Sequence, residues 1–341
     1  MPMNNETKTL KIDYSLLMDL RIDYAFKILF TKGETRLLIS LLNAIFANKK
    51  ICRVIKSLKI VNPFLDKESG DDKLSILDIR AELDDNTTIL IEMHLYGFGE
   101  FKAKTIRSWA RAFGEDLEVG GSYADQPPTI AIAFTDGAVK PVEENETSKK
   151  DKIHRLCKIM DCEDYTVFTN AMELHYIDMK AFAKAVNEAN SISIDDTQET
   201  MFAKWLSVIT QKEINNKAII ENACSEEEIF MAVSALSRQS EDKIIRQAYQ
   251  RRQDEIFYFN KSMAERDEYK QRAEQEKSRA EQEKSRAEQE KSRAEQAESQ
   301  VEQAKSQIEQ AESRAKQSDA ENENLRREIE KLQAQLANRK Q

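Results

Sequence analysis

The sequence has little cysteine and little histidine, the residue types that most often build metal centres and disulfide frameworks. It contains four cysteines and three histidines among 341 residues, and no two cysteines form a Cys-x-x-Cys pair. These counts argue against a structural zinc site and against a disulfide framework. We therefore expect a cytoplasmic protein with reduced thiols.

Long apolar runs are also missing, and so is an excess of positive charge. No stretch of about 18 apolar residues occurs, and the polar start MPMNNETKTLK is unlike a signal peptide, so we expect no membrane partner. The net charge of −9 argues against a protein that coats nucleic acid through its overall field. An enzyme needs only a local cationic surface, which leaves nucleic-acid enzymes open.

The C-terminal part of the chain follows a seven-residue period. The segment RAEQEKS occurs three times between Arg272 and Ser292, and degenerate copies follow it. With Ala273 at heptad position a, the a and d positions become more apolar toward the C-terminus. This period predicts a coiled coil over 269–341 that joins copies of the chain through residues 273–336. A lone charged helix that acts as a spacer is the alternative.

The rest of the chain divides into a mixed part, 1–185, and a helical region, 186–268. Apolar spacing of three and four residues predicts helices, and short apolar runs between turn residues predict strands. The predicted elements of the mixed part are helices at 21–30 and 34–50, strands at 52–61, 73–83 and 87–96, a helix at 101–119, and strands at 127–136, 154–168 and 172–179. We expect the second helix and the strand at 127–136 to be buried, because both are almost wholly apolar.

Two acids lie inside the apolar runs of the predicted hairpin, Asp78 on its first strand and Glu92 on its second. A three-residue turn at 84–86 would place them directly opposite each other, with β-carbons about 5 Å apart. Two carboxylates that close need a cation between them, and Mg²⁺ or Mn²⁺ suits oxygen ligands. Such an ion supports phosphodiester hydrolysis. An even-numbered turn would separate the acids, and solvent-exposed hairpin charges are the simpler alternative.

Five blocks in this order resemble one family: RIDYAFKILF, LLISLLNAIF, LSILDIRAELDDNTTILIEMH, GGSYADQPPTIAIAF and MELHYIDMK. Together they are similar to the PD-(D/E)xK nuclease family of recombination-promoting nucleases and transposases of bacteria. The resemblance covers roughly residues 18–185. It implies an α/β fold: a restriction-endonuclease-like mixed sheet flanked by helices, here followed by the helical region and the long C-terminal coiled coil.

The resemblance also implies roles for particular residues. Asp78 and Glu92 would be the metal-binding acids, and the position two residues after Glu92 would hold Lys or Gln near the attacking water. This chain has His94 there, which could accept a proton or ligate the metal, or could be a core histidine. Asp23 matches an acid-bearing block and could reach the metal through water. Lys27, one turn later, would contact DNA, and a surface ion pair with Asp23 is the alternative.

Lys104, Arg107 and Arg111 form a basic stripe at helical spacing on the helix that follows the hairpin. We expect them to contact DNA phosphates, and a solvated charged face is the alternative. The sequence therefore predicts a metal-dependent DNA endonuclease that is linked to recombination or transposition. A catalytically weak or inactive core that binds nucleic acid or protein is the second hypothesis. A third hypothesis makes the heptad segment itself the functional element.

Overall fold

A mixed six-stranded sheet with helices packed on it forms the centre of the fold. The computed structural model describes residues 12–61, 79–95, 101–115, 122–123, 126–141, 152–190 and 200–338. The elements are α1 (Asp23–Lys32), α2 (Thr35–Asn48), β1 (Leu58–Ile60), β2 (Ile79–Leu83), β3 (Thr88–His94), α3 (Phe101–Glu115), β4 (Thr129–Thr135), β5 (His154–Met160), β6 (Val167–Asp178), α4 (Met179–Ala189), α5 (Met201–Ile209), α6 (Lys217–Ala223), α7 (Glu227–Glu241) and α8 (Lys243–Asn338).

The strands lie in the order β1-β2-β3-β4-β6-β5. Strands β3, β4 and β6 run parallel, and the remaining neighbours pair antiparallel. All seven residues of β4 are buried, as expected of a central strand covered on both faces. The expected mixed sheet and the buried second helix, α2, are both confirmed.

The β2–β3 hairpin has the predicted three-residue turn, Asp84–Asn86. The amide of Leu83 donates to the carbonyl of Thr87 at 3.0 Å, and Ile79 lies opposite Ile91. Asn86 has a φ of 61°, a left-handed conformation that asparagine tolerates well. The described pairs therefore have the odd-turn register, and Asp78 itself lies outside the described residues.

The two faces of the sheet carry different clusters. Ile89 and Ile91 of β3 belong to the large apolar core that also contains the buried sides of α1, α2, α5 and α7. Leu90 points the other way, into a smaller cluster with Ala131, Ala133 and Tyr176 that packs under α3. Since side chains alternate along a strand, Glu92 and His94 lie on the α3 face with Leu90.

Helix α3 turns a different side to the sheet from the one its sequence predicts. Helical spacing places four apolar residues of this segment on one face, Ile106, Trp109, Phe113 and Leu117, but Ile106 is 45% exposed. Its buried residues are Phe101, Thr105 and Ala112. Trp109 is half-buried, and its indole Nε1 donates to the carbonyl of Thr129 at 2.9 Å. The small side chains of β4 admit the helix closely on the Thr105 side, and Leu117 lies outside the described residues.

Two strand boundaries also differ from the predictions. β1 spans only Leu58–Ile60 of the predicted 52–61. The predicted strand 154–168 ends at Met160, and Val167 already belongs to β6. Aspartates of the intervening turn stop the first strand: Asp161 accepts from the amide of Glu163, and Asp164 accepts from that of Thr166. These are turn-forming side-chain to backbone bonds.

The helical region packs against the large core. Trp205 of α5 is fully buried, and its indole Nε1 donates to Ser40 Oγ of α2 at 3.1 Å. The chain divides into two compact units, Met1–Asn260 and Lys261–Gln341, so much of the predicted 186–268 region belongs to the unit that contains the sheet. Among the described helices, none combines the length and the apolar character that a membrane span requires.

Helix α8 runs without interruption from Lys243 to Asn338, which confirms that the heptad segment is helical. In the second unit every side chain from residue 261 to 334 is exposed or partly exposed. These include apolar side chains at heptad positions a and d, such as Val301 at 55% and Ile308 at 60% exposure. The coiled coil itself stays a prediction.

A chain of buried polar groups crosses the large core beside β5 and β6. Asn48 donates to His154 Nδ1 at 2.9 Å, His154 Nε2 donates to His175 Nδ1 at 2.8 Å, and His175 Nε2 donates to Glu173 Oε1 at 2.8 Å. Burial, and then the neighbouring His175 and Lys49 charges, lower the pKa of His154 to about 2. Burial also lowers the pKa of His175. Both imidazoles are therefore neutral in the folded chain.

This chain predicts a loss of stability in mild acid. The unfolded protein takes up protons on its histidines below pH 6.5, whereas folded His154 resists protonation down to about 2. The contribution of neutral His154 to the free energy of unfolding should therefore be complete above about pH 7.5. Below pH 6.5 the free energy of unfolding should fall by about 1.4 kcal/mol per pH unit for one histidine. Urea unfolding between pH 7.5 and 5 measures this slope. The substitution His154→Gln should reduce it, and an unchanged slope would contradict the assignment.

Candidate active site

One row of side chains crosses the α3 face of the sheet. Glu92 of β3 lies beside Ala133 of β4, and Ala133 lies beside Tyr176 of β6. The next row begins with His94, which lies beside Thr135. The small Ala133 side chain separates an acid from a phenol, and α3 covers the row.

Glu92 is a buried acid, and one of its carboxylate oxygens has no hydrogen-bond partner among the described residues. Its side chain is 2% exposed, and its Oε2 accepts a hydrogen bond from His94 Nε2 at 2.7 Å. Its Oε1 is buried and accepts no hydrogen bond from any residue that the structure describes. A buried carboxylate oxygen without a partner costs several kcal/mol. The missing partner is therefore a hydrogen-bond donor or a cation.

His94 lies at the more open end of this pair. Its side chain is 15% exposed, and its ring centroid is 5.8 Å from that of Phe101 in the first turn of α3. Because Nε2 donates to Glu92, Nδ1 is the nitrogen that can accept a proton. His94 thus contacts Glu92 directly, and its role in catalysis stays a prediction.

Tyr176 is a buried group that the sequence analysis did not single out. It is 4% exposed. Burial raises the pKa of Tyr176 to about 12, and the nearby Cys157 and Glu92 contribute to the rise. A hydrogen bond with Thr105 acts in the opposite direction. The phenol therefore stays protonated at neutral pH and can donate a hydrogen bond. The two-residue period of β6 put Tyr176 on one face with Leu174, but only the pairing with β4 shows that Glu92 shares this face.

Asp23 and Lys27 lie away from the exposed surface. Asp23 forms a bidentate ion pair with Arg252 of α8, with Oδ1 3.0 Å from Nε and Oδ2 2.7 Å from Nη2. Arg252 thus pairs with both carboxylate oxygens of Asp23. Lys27 is only 2% exposed. Its contact with DNA stays a prediction.

The predicted basic stripe is at the surface. Lys104, Arg107 and Arg111 are all exposed along the outer side of α3. Arg111 Nε lies 2.9 Å from Glu115, which also receives Arg80 at 3.2 Å. The stripe lies on the helix that covers the Glu92 row, and its contact with DNA stays a prediction.

The open oxygen of Glu92 fits a divalent cation. Carboxylate oxygens are ligands that Mg²⁺ and Mn²⁺ prefer. No group of three or more His, Cys, Asp or Glu side chains that could hold a metal occurs within the described ranges. The other predicted ligand, Asp78, lies outside them, so the set of ligands stays a prediction.

A comparison with known protein families gives one match. The family described as "PD-(D/E)XK nuclease family transposase" matches residues 20–267. This range contains the whole sheet, α1 to α7 and the start of α8. No curated protein and no solved structure matches the chain.

The Asp23–Arg252 pair predicts a specific stability effect. The two side chains are 11% and 14% exposed, so Arg252→Ala leaves a nearly buried carboxylate unpaired. We expect a loss of about 3 kcal/mol in the free energy of unfolding. Urea unfolding followed by tryptophan fluorescence measures it, because Trp109 and Trp205 both lie in the first unit.

The matched control is Arg272→Ala on the same helix. Arg272 pairs with Glu268 at 3.8 Å, and both side chains are more than two-thirds exposed, at 74% and 71%. We expect a change within about 0.5 kcal/mol. Equal effects of the two substitutions would show that the Asp23 pair does not hold α8 to the core.

Proposed function

Because this chain belongs to the PD-(D/E)XK nuclease family transposases, we propose that it is a metal-dependent endonuclease that hydrolyses the phosphodiester bonds of DNA, linked to recombination or transposition. The observation that carries the proposal is the open Oε1 of Glu92, buried on the α3 face beside His94. A surface acid would need no cation. Burial removes the water that would otherwise compensate the charge of Glu92. Its Oε1 therefore needs a hydrogen-bond donor or a cation, and in this proposal the partner is a cation.

Asp78 is the second acid of the proposal. The described pairs, such as Ile79 with Ile91, have the odd-turn register for which the sequence predicts Asp78 opposite Glu92. In this proposal Asp78 and Glu92 hold Mg²⁺ or Mn²⁺ between them. The bound ion would lower the pKa of water and stabilise charge on the attacked phosphate.

The remaining site residues would orient Glu92, accept a proton or hold the DNA backbone. His94 donates from Nε2 to Glu92 Oε2, which fixes that carboxylate and leaves Nδ1 to accept a proton from the attacking water. The exposed stripe of Lys104, Arg107 and Arg111 would hold the DNA backbone against α3. Asp23 is paired with Arg252, and the proposal gives it no direct contact with the ion.

A second candidate function rests on the burial of Glu92. A side chain that is 2% exposed is out of reach of a phosphate unless α3 moves. A nuclease-like core that binds nucleic acid or protein without cleaving it would need no such access. Binding without cleavage is the result that would favour this second function.

The nuclease proposal predicts the outcome of plasmid cleavage with Mg²⁺ or Mn²⁺. The wild-type chain should convert supercoiled DNA to nicked or linear forms. Glu92→Gln and Asp78→Asn should each slow cleavage at least about 100-fold, because a metal-binding carboxylate contributes several kcal/mol to the transition state. Gel electrophoresis over time gives the rates.

Glu82→Gln is the matched control, since Glu82 is an exposed acid on the same hairpin, opposite Thr88. It should cleave at the wild-type rate. If the wild type leaves the plasmid intact at high enzyme concentration, or if Glu92→Gln cleaves normally, the nuclease proposal fails.

We also propose that α8 joins copies of the chain into a homo-oligomer. Leu325, Ile329 and Leu332 at the C-terminal heptad positions are 55%, 52% and 55% exposed in the single chain. An apolar stripe with a seven-residue period is buried when helices supercoil around one another. Two or more nuclease cores held together would suit the cutting of both strands of a duplex.

Oligomerisation through this stripe predicts the effect of charged substitutions. Leu325→Glu combined with Leu332→Glu should reduce the mass in light scattering to that of a monomer, because both residues occupy the d position. Ala320→Glu combined with Ala334→Glu adds the same charge at position f, on the outside of the helix, and should leave the mass unchanged. A monomeric wild type would contradict the proposal.

A further inference from the structure

Four cations gather around the N-terminal end of β5, the last strand of the sheet. We name this group the β5 cationic edge, and its members are Lys49, Lys102, Lys152 and Arg155. None of them was assigned to the candidate site by the sequence, and none lies on the outer stripe of α3. Their arrangement indicates a second surface for a polyanion.

Contacts on both faces of the sheet bring the four together. Asn48, the residue before Lys49, donates to His154 of β5 at 2.9 Å, so the end of α2 lies against the start of β5. Arg155 lies opposite Tyr176 and therefore on the α3 face. On that face Lys102 Nζ donates to the carbonyl of Lys140 at 2.8 Å. Lys152 lies two residues before β5.

The charges of this group shift the pKa values of Lys49 and Cys157, which shows that its members lie close together. Burial lowers the pKa of Lys49, and the charges of Lys152 and Arg155 lower it further. Burial raises the pKa of Cys157. The positive charges of three residues lower it, those of Arg155, Lys102 and Lys152. Like charges that close to one another destabilise the free protein, and a bound anion would relieve them.

Acids within the described part of the chain do not neutralise the β5 cationic edge. Glu173 is the nearby acid of β6, and Lys158 already pairs with it at 3.0 Å while His175 donates to its other oxygen. Within the described residues, none of the four cations forms an ion pair with an acid. The group is thus open to a ligand with several negative charges.

The edge lies in line with the candidate site. The row on the α3 face runs from Glu92 through Ala133 and Tyr176 to Arg155. Three strand spacings separate its ends, about 14 Å. A duplex strand advances about 3.4 Å per phosphate, so this distance corresponds to about four nucleotides.

We propose that the β5 cationic edge binds the phosphate backbone of duplex DNA, about four nucleotides from the bond that the Glu92 site attacks. The location relative to the cut rests on the proposed nuclease function, whereas the binding does not. The edge and the α3 stripe together would hold the duplex at two places along its length.

The test measures binding without cleavage. The full chain is titrated against a fluorescein-labelled duplex of about 30 base pairs in EDTA, by fluorescence anisotropy at several KCl concentrations. Each lost phosphate contact reduces the slope of log K against log salt by about 0.9 and weakens binding roughly 8-fold at about 0.1 M salt. We expect this change for Lys152→Gln and for Arg155→Gln, and about twice the slope change for the double variant.

Two controls separate charge from folding. Arg155→Lys keeps the charge and should keep most of the slope. Lys184→Gln removes an exposed cation of α4, which pairs with Glu188 at 3.8 Å, and should bind as the wild type does. Wild-type slopes in both edge variants, or a wild-type chain that does not bind the duplex, would overturn the proposal. If the slopes fall but the wild type cuts no plasmid, the edge stands and only the nuclease function fails.

Discussion

The register of the β2–β3 hairpin is the constraint on which the candidate site depends. The three-residue turn Asp84–Asn86 sets it, and the turn is held by its own chemistry: Asn86 takes a left-handed conformation, and Asp85 accepts from the amide of Thr87 at 3.0 Å. One residue more or less would turn every side chain of β3 to the opposite face. Glu92 would then enter the apolar core among Ile89 and Ile91, where no cation could reach it.

The burial of Glu92 has two opposite consequences. A carboxylate with one uncompensated oxygen destabilises the folded chain, and His94 compensates only the other oxygen. The same low-dielectric surroundings strengthen the attraction to any cation that does enter. An arrangement that costs stability and gains affinity is typical of functional sites rather than of the core. Tyr176 lies in the same row, and its raised pKa keeps the phenol protonated at neutral pH.

Much of the fold could be predicted because its elements follow simple periods. Three local patterns occur in the structure as predicted: the nearly continuous apolar run of β4, the helices α1 and α2, and the hairpin turn. No local pattern predicts which side of α3 faces the sheet. Thr105 and Ala112 face it while the larger Ile106 is exposed, because β4 presents alanines to the helix. Apolar size along one helix does not reveal the shape of the surface beneath it.

The site was predictable to the same degree and for the same reason. The spacing of Glu92 and His94 along one strand put both on one face, and the structure joins them by a hydrogen bond. Asp23 finds its partner 229 residues away in Arg252, and Lys27 is buried by elements from elsewhere in the chain. The His154–His175–Glu173 chain likewise joins β5, β6 and α2. Such long-range contacts leave no period in the sequence.

The net charge of a chain does not indicate where on its surface a nucleic acid could bind. The value of −9 is a sum over the whole chain, whereas a phosphate responds to charges within a Debye length, about 10 Å at 0.1 M salt. Cations on α3 and around the start of β5 lie beside the Glu92 row, and acids beyond that distance are screened from the same phosphate. A chain can therefore be acidic as a whole and still hold a DNA backbone, provided that its cations are gathered where the acids are already paired. Glu115 with Arg80 and Arg111, and Glu173 with Lys158, are paired in this way.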